Sequence, residues 1–163
     1  MPKMTFRFAG LICLFITMTL LAACGSKEKV TYQADIIGIE MEVALEAKED
    51  TVEKQDIALK LSYELLEVES KEEAEEAIED NLQDDIPEKM DEANDLKGIK
   101  VKTSYEKDQY IQTLSIDYNK IDVEEADSVA IELGFPNLIE DEDDLDFQTI
   151  VEDLENEGFT KEE

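Results

Sequence analysis

From about residue 30 the chain alternates apolar and polar positions. Tyr32, Ala34 and Ile36 share one side against Gln33 and Asp35, the two-residue period of a half-buried strand. Gly38 interrupts, and Met41, Val43, Leu45 and Ala47 then alternate with Glu40, Glu42, Ala44, Glu46 and Lys48. Glu49-Asp50 reads as a turn. A third strand is expected over about 52–66, with Ile57, Leu59, Leu61, Tyr63 and Leu65 on one face. Short turns join antiparallel neighbours, so these three strands predict a meander.

The period then changes to that of a helix. Ser70-Lys71-Glu72-Glu73 has the spacing of a capping box. Ala74, Ala77, Ile78, Leu82 and Ile86 follow at helical intervals, Pro87 is expected to end or kink the helix, and Met90 and Ala93 extend its stripe. Gly98 opens a hairpin. Ile99, Val101, Thr103 and Tyr105 line one strand; Tyr110, Gln112, Leu114, Ile116 and Tyr118 share a face of the next, after a Lys107-Asp108 turn. From Asp122 a helix carries Val123, Ala126, Val129, Ala130 and Leu133 inward until Gly134 and Pro136 stop it. A polar run from Asn137 to Asp144 leads to a last helix capped by Asp146, with Phe147, Ile150, Val151 and Leu154 inward and Gly158 as its stop. The order β-β-β-α-β-β-α-α predicts an α+β fold. Its antiparallel sheet has about five strands, a three-stranded meander plus a hairpin, with helices packed on one face.

The N-terminus follows a different rule. Lys3 and Arg7 precede an uncharged run from Phe8 to Ala23, about 16 residues against the roughly 20 a spanning helix needs. This is the form of a signal peptide. Its end, Leu21-Ala22-Ala23-Cys24, resembles the lipobox of bacterial lipoproteins. The resemblance implies cleavage between Ala23 and Cys24 and a diacylglyceryl group on the Cys24 thiol. The organisation expected is thus a signal peptide at 1–23, a lipidated N-terminus and tether at 24–29, and one domain at 30–163. Two acyl chains hold a membrane stably where one does so only marginally. The expected location is the bacterial cell membrane, lipid-anchored and facing outward.

Charge narrows the classes of partner. The segment 1–23 holds two basic residues and no acid, so the chain from Cys24 onward has 13 lysines, no arginine, no histidine and 44 acids, a formal charge of −31. Such a surface repels nucleic-acid phosphates and opposes close contact with anionic lipid. Its simplest role is solubility. Cys24 is the single cysteine left after cleavage, so no intramolecular disulfide is possible.

Read as a whole, the chain resembles the YehR-like bacterial lipoproteins, a family of uncharacterised function. Ala22-Ala23-Cys24-Gly25, Tyr32-Gln33-Ala34-Asp35 before Gly38, Leu114-Ser115-Ile116-Asp117-Tyr118 and the closing Glu157-Gly158-Phe159 carry the likeness. It implies a small α+β domain and no known catalytic residue. The acidic helix around 72–85 and the acidic run 140–146 depart from the family pattern.

No candidate for chemistry stands out. The densest carboxylate run, Glu140 to Asp146, invites calcium. An EF-hand register starting at Asp141 suits Asp143 and Glu152, but puts Leu145 at a ligand place and Asp146 where glycine is required. The run therefore reads as a solvated loop. Ser62, Ser70, Ser104, Ser115 and Ser128 have no histidine to activate them, and no local motif marks a serine–lysine pair. Tyr32, Tyr63, Tyr105, Tyr110 and Tyr118 fall on strand faces and read as packing residues. No metal, cofactor or catalytic residue is expected. The reading is a non-enzymatic, membrane-anchored lipoprotein that binds a protein or envelope partner. The alternatives are a small solute- or cation-binding lipoprotein and an envelope hydrolase.

Overall fold

Pairing the alternating runs side by side produces one apolar surface. Tyr32, Val43, Ile57, Leu114 and Val101 lie opposite one another across five strands. The adjacent row is Val30, Leu45, Gln55, Ile116 and Ile99. Both rows are buried throughout. The computed structural model that shows this describes residues 27–81, 86–136, 138–139 and 142–162. Its elements are β1 (Lys27–Ile36), β2 (Ile39–Lys48), β3 (Thr51–Ser62), α1 (Lys71–Asn81), α2 (Ile86–Asp95), β4 (Ile99–Tyr105), β5 (Gln109–Asp117), α3 (Val123–Glu132), a 3-10 turn at Glu142–Leu145, α4 (Phe147–Asn156) and β6 (Thr160–Lys161).

The α+β reading holds, with six antiparallel strands in the order β4-β5-β3-β2-β1-β6. The expected hairpin joins the meander through its second strand, β5, and leaves β4 at the edge. The sixth strand was not expected. Its two exposed residues offer no alternation, and its place is set by tertiary contacts. Lys161 and Thr160 pair with Tyr32 and Gln33, beside the buried ring of Phe159.

Three boundaries differ from the pattern. β1 begins at Lys27, so Lys27–Lys29, read as tether, pair with Lys48, Ala47 and Glu46. β3 ends at Ser62 rather than near 66. There the amide of Leu66 turns back to the Ser62 carbonyl at 3.2 Å, and that of Val68 to Tyr63 at 2.9 Å. Leu65 is consequently exposed. The helical run over 71–95 is two helices, and Pro87 stands in the first turn of the second. A proline fits there because a first-turn amide has no partner within the helix.

The ends of the later helices follow local chemistry. The Asp122 carboxylate accepts from the Glu124 amide at 3.0 Å, and that of Asp146 from the Thr149 amide and hydroxyl, both at 2.9 Å. Val123, Ala126 and Ala130 of α3, with Phe147, Ile150 and Leu154 of α4, join the sheet's apolar rows in one core. The helices thus cover one face of the sheet, as expected. Residues on the other face are all exposed or half-buried.

Candidate interaction surfaces

The residues on which lipidation rests, Ala23 and Cys24, lie outside the described residues, as does the whole signal segment. What the structure adds is the start of β1. In sequence, only Gly25 and Ser26 separate Cys24 from the first strand. Among the described residues, no helix is long and apolar enough to cross a membrane.

The acidic run is used locally. Glu140 and Asp141 lie outside the described residues; Glu142–Leu145 form a 3-10 turn; Asp146 caps α4. The amide and hydroxyl of Thr149 bonded to Asp146 hold that carboxyl below its ordinary pKa. Leu138, Asp144, Thr149, Asp153 and Asn156 border a half-open hollow of about 390 Å³. Among the described residues no three acidic or cysteine side chains converge as a metal cage would need.

The tyrosines pack as expected. Tyr32 donates to Glu155 Oε1 at 3.2 Å, Tyr63 to the Glu106 carbonyl at 2.8 Å, and Tyr118 to Gln55 Oε1 at 2.6 Å. Tyr105 and Tyr110 rings meet at 5.1 Å between centroids, and burial raises the Tyr110 phenol to about 12. Ser62 and Ser70 hydroxyls accept the backbone amides of Leu65 and Glu73, both at 3.2 Å.

Two surfaces remain. The first is the uncovered sheet face. Its centre is a shallow hollow of about 240 Å³ floored by Ala44, Ala58, Thr113 and Ser115, between Glu42 and Asp56 on one side and Lys100 and Lys102 on the other. Ion pairs cross the face. Lys60 Nζ lies 2.6 Å from Glu40 and 3.0 Å from Glu42, and Lys27 lies 3.0 Å from Glu46. The hydrogen bond with Glu40, then that with Glu42, raises the Lys60 pKa against a lowering by burial, while Lys27 lowers that of Glu46.

The second surface is the β1–β2 turn. Ile37 and Gly38 have φ of 57° and 83°, as a two-residue turn with both residues left-handed requires. Asparagine or glycine suits the first place, and a β-branched residue there is strained by about 1–2 kcal/mol. Ile37 is nevertheless isoleucine and 92% exposed. Ile36 and Leu65 beside it are 41% and 42% exposed, and the Leu65 side chain lies against Gly38. Sequence reading placed Ile36 on the apolar side of the strand and a break at Gly38, but passed over Ile37. The signal was Ile37 directly before Gly38, where a polar residue belongs.

Relatives place the chain in a family. The model of a protein family of unknown function, DUF1307, matches residues 28–160. An uncharacterised lipoprotein of Listeria monocytogenes, Lmo0207, is 31% identical over 128 residues, 78% of each chain. A second, Lin0239 of Listeria innocua, is 27% identical over 76% of each. The solution structure of the E. coli YehR protein shares the fold with a TM-score of 0.61 and 19% identity, over 85% of this chain and 92% of that one. A Streptococcus pneumoniae protein structure does so at 0.54 and 18%, over 99% and 92%. The likeness to YehR-like lipoproteins drawn from the sequence is thereby borne out, and the chain belongs to the DUF1307 family.

Proposed function

We propose that the protein is an outward-facing lipoprotein anchored through diacylglyceryl-Cys24, and that its domain acts by binding a protein of the envelope rather than by catalysis. The lipobox-like Leu21-Ala22-Ala23-Cys24 and the lipoprotein relatives support the anchor. The observation that carries the binding role is Ile37. A strained residue persists where function holds it, and an exposed apolar residue at a turn serves neither folding nor solubility. With Ile36 and Leu65 it forms an apolar tip suited to an apolar recess on a partner.

Ile37→Asn tests this reading. Relief of the left-handed strain should stabilise the domain by about 1 kcal/mol in urea unfolding. A photo-crosslinker at Leu65 in living cells should at the same time lose the adduct it forms with the native turn. Destabilisation, or an undiminished adduct, would defeat the reading. The anchor is tested apart: Cys24→Ala should leave an unprocessed precursor without diacylglyceryl label, and cleavage after Ala23 in that variant would refute the lipobox.

A further inference from the structure

We infer that the uncovered face of the sheet lies against the headgroups of the membrane that holds the anchor. This rests on the lipid anchor proposed above and adds the stance of the domain on it.

The starting point is where the lysines fall. In register on that face, Lys27, Lys29, Lys48, Lys54 and Lys100 occupy the half nearest the start of β1, with Glu46, Asp56 and Asp117 among them. The far half has Lys60 and Lys102 against Asp35, Glu40 and Glu42. Two flanking residues reach the same face. Glu53, at the β3 bulge, is 3.9 Å from Lys27, and Lys120 is 2.5 Å from Asp117. The face as a whole carries eight lysines and seven acids. The rest of the chain from Cys24 onward carries five lysines and 37 acids, a formal charge of −32. A protein whose total charge opposes lipid therefore has one broad face that does not.

Which face matters depends on distance. At physiological salt a charge is felt over about 8 Å, far less than the width of the domain, so a bilayer senses the near face and not the sum. The chain gives the domain little room to withdraw. Three peptide steps join Cys24 to Lys27, at most about 11 Å when extended. A domain held so close is repelled through any acidic face. The sheet face, most positive in the half beside the anchor, is electrostatically suited to phosphate-bearing headgroups. Its centre, a shallow hollow floored by alanine, serine and threonine, has no bulky side chain to hold headgroups off. An end-on stance would bring Glu49 and Asp50, in the β2–β3 turn beside the start of β1, toward the same phosphates.

The test uses the full-length lipidated protein in vesicles of phosphatidylglycerol and phosphatidylcholine that contain a headgroup-linked quencher. Once the segment holding Cys13 is cleaved off and the Cys24 thiol carries its diacylglyceryl group, a new cysteine is the only free thiol for a fluorophore. Ser104→Cys marks the sheet face on β4, Glu125→Cys marks α3, and Asp50→Cys marks the turn. The label at 104 should be quenched about threefold more than that at 125 and no less than that at 50, within the range of a screened contact. Adding Lys54→Gln and Lys100→Gln should erase that difference, with circular dichroism confirming the fold. Equal quenching at 104 and 125, or strongest quenching at 50, overturns the stance and leaves the anchor standing. Energy transfer between labels at 104 that rises with protein density would assign the face to a second copy instead, and overturns it too. Failure of the protein to partition with vesicles at all overturns the anchor and this inference together.

Discussion

The Tyr118 hydroxyl donates to Oε1 of Gln55 at 2.6 Å, joining the residue after β5 to the middle of β3 inside the core. Gln55 is 2% exposed in a row otherwise made of Val30, Leu45, Ile116 and Ile99, and its Nε2 has no partner among the described residues. A buried amide is retained there by its bond to Tyr118. Tyr118→Phe should therefore cost about 1–3 kcal/mol, because it strands the acceptor. Gln55→Leu with Tyr118→Phe should cost less than the two single changes summed, by about 0.5–3 kcal/mol. Urea unfolding of the four proteins of this cycle checks it, and strict additivity would show that the bond is incidental.

Asp127 of α3 borders the same spot. A hollow of about 10 Å³ is lined by Gln55, Tyr118, Asp127, Ala130 and Ile139, and the Asp127 Oδ1 buried beside it has no partner among the described residues. Loss of water raises the Asp127 pKa, and burial together with the Asp127 charge raises that of Tyr118. A carboxyl whose pKa is raised on folding binds its proton more tightly in the native state. Its favourable contribution is complete below the unfolded value and is lost as pH rises through the folded one. At neutral pH ionised Asp127 is thus a burden, and Asp127→Asn should raise the urea midpoint at pH 7. That advantage should shrink when the comparison is repeated near pH 4. A gain that does not change with pH would mean that the carboxyl is fully hydrated.

Much of the fold was legible because burial is periodic. Val43, Leu45, Ile57, Leu114 and Ile116 are core positions both by alternation and in the structure. The cap at Asp146 and the helix start at Asp122 were legible because their chemistry lies within three residues of the helix start. What escaped was set at long range. β6 exists through pairing with a strand more than 120 residues earlier. Leu59, expected inside with Ile57, is half-buried and packs against the core from beside the buried Met41 and Gln112. The grouping of lysines on one face was equally hidden. Lys54 and Lys100 are 46 residues apart and come onto the same face only because β5 pairs with both β3 and β4. The lipobox-like segment needs no fold to be read, which is why the address was clearer than the surface that serves it.

Gly98 and Gly134 separate two demands that glycine meets. Both adopt left-handed backbone, at φ 96° and 79°. At Gly134, which follows α3, a Cβ would meet nothing within 4 Å, so Gly134→Ala should cost only the left-handed penalty of about 1–2 kcal/mol. At Gly98 a Cβ would stand 2.9 Å from the Asp117 carbonyl oxygen and 3.0 Å from the Lys120 Cβ. The first of these is backbone and cannot turn aside. It is also fixed in place, because the Asp117 amide donates to the Gly98 carbonyl at 2.8 Å and closes the β4–β5 pairing. Gly98→Ala should accordingly cost more than Gly134→Ala by about 1 kcal/mol or more, the range of an overpacked contact. Thermal unfolding of the two variants side by side measures the difference. Equal losses would mean that the Asp117–Lys120 turn gives way freely and that φ alone explains the glycine at 98.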